Sequence, residues 1–112
     1  MNPEWTKEFP AAITICDKNG IILEMNDKAA KSFENDGGYN LIGKNLFDCH
    51  NQNSRDKTEE LLREKEVNVY TIEKNGKNKL IYQSPWFEKG ELRGLVEFSM
   101  EIPAVMPHFI RT

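Results

Sequence analysis

The chain has 112 residues, of which 38% are hydrophobic and 29% charged, and its formal net charge is −3. This balance is typical of a soluble globular chain, and the length allows one domain with one modest pocket. The acidic balance and the lack of a basic block argue against nucleic acid, whose phosphates require a clustered Lys/Arg face. No apolar run is long enough to span a bilayer, and the N-terminus lacks the pattern of a secretory signal, so we expect a cytoplasmic protein with reduced thiols.

Residues 1–10 are predicted to form a short N-terminal helical segment that caps the domain. Trp5 and Phe9 are four residues apart, so both can lie on one helix face. Pro10 ends the helix because it lacks a backbone amide and clashes with the preceding turn.

A hairpin and a short helix are predicted next. Residues 11–17 are rich in β-branched side chains, and the turn Asp17–Gly20 leads into a second apolar segment, so the two segments pair as strands. Asp27 is predicted to cap the following short helix, because its carboxylate can accept hydrogen bonds from the free amides of the first turn.

The second half of the chain predicts one longer helix and three strands. The helix begins at Asn53 or Ser54, and the strands cover residues 67–74, 79–88 and 92–102. In the last strand apolar and polar residues alternate, which predicts that the face carrying Val96, Phe98 and Met100 points into the core. Residues 103–112 contain two prolines and form a tail that cannot continue the sheet.

The order of these elements resembles that of a PAS domain. The segments ITICDKNGIILEMNDKAAKSF and LIGKNLFD and the paired closing hairpins carry the resemblance, which covers residues 11–102. It implies an α+β fold: a five-stranded antiparallel sheet of order 2-1-5-4-3, with short helices and one longer helix on one face. It also implies a ligand pocket between sheet and helices.

Asp48, Cys49 and His50 place an acid, a thiol and an imidazole side by side in the sequence. Adjacent Cys and His side chains rarely face each other, so nucleophilic catalysis is not expected and the chain is not predicted to be an enzyme. Flavin photochemistry is also not expected, because the reactive-cysteine motif of the photosensory PAS branch is absent. Haem ligation by His50 or Cys49 stays open. So do a contact of His50 with a polar ligand and a purely structural role at the helix start.

Tyrosines on the closing strands are further candidates for the pocket wall. Tyr70 and Tyr82 each combine an aromatic body with a polar tip, although tyrosines at strand spacing more often stack across strands. Which face of the 79–88 strand points inward is not decided by the pattern, whereas Pro85 predicts an edge position or a bulge. The predicted ligand contacts are therefore His50, Cys49, Tyr70, Tyr82, Phe98 and Met100.

Two functions are consistent with this sequence. The first is a PAS-type sensory module that binds a small, mostly apolar ligand between sheet and helices and acts through a protein partner or a homodimer. The second is an interaction module with a filled core, in which Trp5, Phe9 and the outer sheet face form a homodimer contact. No resident metal is predicted unless His50 binds haem.

Overall fold

The computed structural model describes residues 4–45 and 52–112, except for the side chains of residues 52–55 and 58. It contains a five-stranded antiparallel sheet of order β2-β1-β5-β4-β3, which confirms the architecture that the PAS resemblance implies. The strands are β1 (Ala12–Asp17), β2 (Ile22–Met25), β3 (Asn68–Lys74), β4 (Lys77–Glu88) and β5 (Glu91–Ile102). The helices are α1 (Glu4–Lys7), α2 (Asp27–Ser32) and α3 (Gln52–Glu64), with 3₁₀ turns at Glu34–Asp36 and Gly38–Leu41. No helix in the described ranges is long and apolar enough to cross a membrane.

Short polar turns set the register of the three hairpins. The Asp17 carboxylate accepts hydrogen bonds from the amides of Asn19 (2.9 Å) and Ile21 (3.0 Å), which closes the predicted β1–β2 turn. The β3–β4 and β4–β5 turns are two-residue loops, Asn75–Gly76 and Lys89–Gly90, in which both residues have positive φ. Such turns match the right-handed twist of the paired strands.

Asn26, and not Asp27, caps α2. Its side-chain oxygen accepts a hydrogen bond from the amide of Ala29 at 3.1 Å. The prediction for Asp27 was wrong by one residue, because the side-chain oxygen of Asn26 caps as well as a carboxylate does. The Asn26 side chain also bonds to Thr6 in α1, to Ala11 and to Ile13 in β1. Asp27 instead begins the helix and binds Lys7 across the surface.

The main core lies between the sheet and the helices α2 and α3. Cys16 on β1 and Leu95 on β5 are paired across the sheet and pack with Leu61, Leu62 and Ala29 from the helices. We call this side of the sheet the helix-facing side. Gly94 permits the close approach of β5 to β1, since a Cβ atom there would lie 1.9 Å from the carbonyl oxygen of Cys16.

The predicted inward direction of Val96, Phe98 and Met100 is wrong. Val96 pairs with Ile15 and Phe98 pairs with Ile13, and these residues alternate with the Cys16–Leu95 pair of the helix-facing side. Because successive strand residues point to opposite faces, Val96, Phe98 and Met100 lie on the other side, which we call the outer face. Apolar and polar residues do alternate along β5, as predicted. The apolar ones lie on the outer face because α1 covers part of that face.

Candidate functional site

A row of polar side chains crosses the helix-facing side of the sheet. Asn68 on β3, Gln83 on β4 and Glu97 on β5 are cross-strand partners. The Asn68 amide donates to Gln83 Oε1 at 2.9 Å, and the Gln83 amide donates to Glu97 Oε1 at 2.8 Å. All three side chains are half-buried. We call this set the polar row.

The polar row lies on the helix-facing side of the sheet, beside the apolar core. Gln83 alternates along β4 with Tyr82 of the outer face and lies two residues from the buried Ile81 and Pro85. Glu97 pairs on its other side with Thr14, which is 7% exposed. Polar groups at such positions stabilise the fold only when their hydrogen bonds are made.

Glu97 is the charged end of the row. Its Oε1 accepts the bond from Gln83, and no lysine, arginine or histidine whose side chain the structure describes forms an ion pair with it. A carboxylate has room for several hydrogen bonds, so Glu97 can accept further donors besides Gln83.

Tyr70 lies next to the row. It pairs with Ile81 across β3 and β4, which places it on the helix-facing side. Burial, and secondarily the charge of Glu97, raises the pKa of the Tyr70 hydroxyl. The hydroxyl therefore stays protonated at neutral pH and can both donate and accept a hydrogen bond.

The predicted ligand contacts do not form one cluster in the described structure. Tyr70 lies on the helix-facing side, whereas Tyr82, Phe98 and Met100 lie on the outer face. Cys49 and His50 lie outside the described residues. Contact of any of these residues with a ligand stays a prediction. The sequence did not predict the polar row, because alternation along β5 assigns Glu97 to the solvent side and left the face of Gln83 undecided.

The outer face carries a groove of about 430 Å³ beneath α1. Its floor is apolar, and its lining includes Trp5, Ile13, Ile15, Val96 and Phe98. The Trp5 and Phe9 rings pack edge to face, with centroids 5.6 Å apart. The predicted contact is present, but the predicted shared helix face is wrong because α1 ends at Lys7, two residues before Phe9. Glu4 and Glu24 add negative charge to the lining.

A surface cluster ties α1 to α2 at the edge of the groove. Lys7 Nζ lies 3.2 Å from a carboxylate oxygen of Asp27, and the Tyr39 hydroxyl donates a hydrogen bond to the same oxygen. The hydrogen bond from Tyr39, followed by that from Lys7, lowers the pKa of Asp27. The same bond raises the pKa of Tyr39 to about 12.

Cys16 and the acidic residues do not form a reactive centre in the described part of the chain. Burial raises the pKa of the Cys16 thiol to about 11, so at neutral pH the thiolate that would act as a nucleophile is scarce. The described residues contain no group of three or more His, Cys, Asp or Glu side chains that could hold a metal ion.

Solved structures with the same fold are PAS domains of sensor proteins. The chain is similar to the PAS domain of the histidine kinase ThkA, with a TM-score of 0.67, 23% identity, and coverage of 80% of this chain and 97% of that one. It is also similar to a sensory box sensor histidine kinase from Vibrio cholerae, with a TM-score of 0.66, 13% identity, and coverage of 89% and 88%. A third is the Aer2 receptor from Vibrio cholerae, a dual PAS-haem oxygen sensor, with a TM-score of 0.60, 14% identity, and coverage of 83% and 95%. No protein-family model matches the sequence, and no curated protein matches it significantly.

Proposed function

We propose that this chain, which has the PAS fold, is a sensory module that binds a small polar ligand between the sheet and the helices. The observation that carries the proposal is the polar row, which places a half-buried carboxylate on the side of the sheet that faces α2 and α3. The ligand state is then passed on through contacts with another protein. The similarity to PAS domains of sensor kinases supports this sensory role.

The composition of the row argues against a core that is filled only for stability. A filled core favours apolar side chains, because a buried polar group without a partner costs about 1–3 kcal/mol. Glu97 has one hydrogen bond from Gln83 and no ion pair in the described residues, so part of its bonding capacity remains unused. A bound ligand would supply the missing donor.

The chemistry of the row indicates the class of ligand. Glu97 offers a negative charge, and Tyr70 offers a neutral hydroxyl beside an aromatic face. A ligand with an ammonium or another N–H donor fits best, because charge-assisted hydrogen bonds to a carboxylate are stronger than neutral ones. Tyr70 can then pack against the ligand and exchange a hydrogen bond with it.

The test begins with protein purified gently from its own host. Native mass spectrometry and an absorbance scan detect any bound small molecule, and a thermal-shift screen compares amines with carboxylic acids. At about a hundred times its dissociation constant a ligand adds about 2.7 kcal/mol of stability. We expect stabilisation by an amine and none by the matching acid.

Two variants of β5 make the screen specific. Glu97→Gln keeps the shape of the side chain but removes its charge, and we expect it to abolish the shift. Glu101→Gln changes an exposed glutamate of the same strand and should leave the shift unchanged. Equal shifts in the two variants would contradict the role of Glu97.

Two other outcomes point to different functions. A Soret band would identify haem as the ligand, as in the Vibrio cholerae oxygen sensor, with His50 or Cys49 as the predicted axial ligand. A bare polypeptide mass together with no stabilisation would favour the interaction module with a filled core.

A further inference from the structure

The tail after β5 is an apolar segment with little contact to the rest of its chain. All residues of 103–112 are exposed and none belongs to a helix or strand. Val105 is 83% exposed, Phe109 70% and Ile110 85%. Isolated apolar side chains on a surface are ordinary, but a continuous apolar segment indicates an interaction site.

The groove on the outer face has the complementary properties. Its floor is apolar, and no residue of the tail is among the described residues that line it. Its charges are complementary too. Lys7 is paired with Asp27, and no described side chain forms an ion pair with Glu4 or Glu24. The tail contains Arg111 and no acidic residue.

The topology brings the origin of the tail close to the groove. Ala12 at the start of β1 pairs with Ser99 near the end of β5, so α1 and the tail leave the sheet at the same end. Pro103 and Pro107 restrict the tail to extended conformations, which lowers the conformational entropy lost when it binds.

We propose that the tail of one copy docks in the outer-face groove of a second copy, and that the exchange is reciprocal. Phe109 and its apolar neighbours pack on the floor beside Trp5, and Arg111 approaches Glu4 and Glu24. The result is a twofold dimer in which the same contact occurs twice. This proposal does not depend on ligand binding at the polar row.

The exposed aromatic residues supply a substantial part of the area that a stable dimer buries. Trp5 is 65% and Phe109 70% exposed, and a large aromatic side chain buries about 150–250 Å², so the four such residues of a dimer contribute roughly 400–700 Å². Stable interfaces bury about 1,200–2,000 Å², so these four residues provide roughly a third of that area. Val105, Met106, Ile110 and the groove floor add to it.

Sedimentation equilibrium of the full chain tests the dimer. We expect a dimer that Phe109→Ser weakens by about tenfold or more, since aromatic anchors dominate interface energies. Phe87→Ser is the matched control, because Phe87 is also exposed but does not line the groove, and it should leave the dissociation constant within about threefold. Both variants change exposed residues, so circular dichroism should show the same fold.

Mixing two defective variants tests the exchange itself. Trp5→Ala has a damaged groove and an intact tail, whereas Phe109→Ser has a damaged tail and an intact groove. Their mixture restores one complete contact per dimer, so at equal concentrations we expect clearly more heterodimer than the twofold excess over each homodimer that random pairing gives. A charge reversal, Arg111→Glu with Glu24→Lys, should likewise bind more tightly than either single variant.

Several results would overturn the proposal. A monomer at about 0.1 mM would exclude the dimer as a stable state. A dimer that Phe109→Ser leaves intact would place the interface elsewhere. A monomer whose tail amides are protected from hydrogen exchange would show that the tail docks on its own chain.

Discussion

Replacing Asn26 by alanine should destabilise the protein strongly, because this side chain is 3% exposed and joins three segments of the chain. Its oxygen accepts hydrogen bonds from the amides of Ile13 (2.9 Å) and Ala29 (3.1 Å). Its amide group donates to the carbonyl oxygens of Thr6 (3.0 Å) and Ala11 (2.7 Å). Asn→Ala therefore removes the α2 cap and the link between α1 and β1 together.

The magnitude follows from the two amides that lose their acceptor. Ile13 and Ala29 are both buried, and an unsatisfied buried donor costs about 1–3 kcal/mol, so we expect a loss of about 2–5 kcal/mol. This is a large part of the 5–15 kcal/mol that typically separates folded from unfolded domains.

Urea unfolding followed by tryptophan fluorescence measures the loss. The midpoint should fall while the slope of the free energy against urea stays constant, because the surface exposed on unfolding is nearly the same. Asn35→Ala changes an exposed asparagine and should stay within about 0.5 kcal/mol of the parent. A loss of less than about 1 kcal/mol for Asn26→Ala would refute the assumption that these amides depend on Asn26.

Three further predictions concern backbone approach and protonation. Gly94→Ala should lower the free energy of unfolding by at least about 3 kcal/mol in the same assay, because the new Cβ would lie 1.9 Å from a backbone oxygen that cannot rotate away; a stable variant would contradict this. Tyr39→Phe should raise the pKa of Asp27 in an NMR titration. The pKa of Asp27 is lowered in the folded protein. Its contribution to stability is therefore present above its ordinary pKa and is lost as the pH falls through the lowered value. This loss of stability should be larger in the parent protein than in Tyr39→Phe. In a Cys49→Ser variant the Cys16 thiol, whose pKa burial raises to about 11, should react with a thiol reagent at neutral pH only when the protein unfolds; rapid labelling of the folded protein would count against the buried position.

Local signals were sufficient to predict the elements of this fold. Hairpin turns depend on a few adjacent residues, so Asp17–Gly20 indicated its turn directly. The prediction for Pro85 was also local and is confirmed. Pairing of β4 with β3 ends at Gln83, so Pro85 lies where β4 has a hydrogen-bonded neighbour on one side only.

The direction of the faces could not be predicted from alternation alone. Alternation shows that a strand has two different faces but does not identify the layer that covers each one. On β5 the more apolar face, with Val96 and Phe98, is covered by the single-turn α1, and the less apolar face, with Glu97, meets the main helical layer. An inward glutamate is unusual because burial disfavours its charge, so pattern reasoning assigns it to solvent. The polar row was missed for this reason.

β5 separates the polar row from the outer-face groove by the thickness of a single strand. Glu97 belongs to the polar row, and its immediate neighbours Val96 and Phe98 form the floor of the groove on the other side. A ligand that displaces the backbone of β5 therefore changes the shape of both surfaces at once. Linkage requires the effect to be mutual: if occupancy of one surface changes the affinity of the other by some factor, the reverse effect has the same factor. A strand in this position needs no hinge or additional domain to communicate between its two sides.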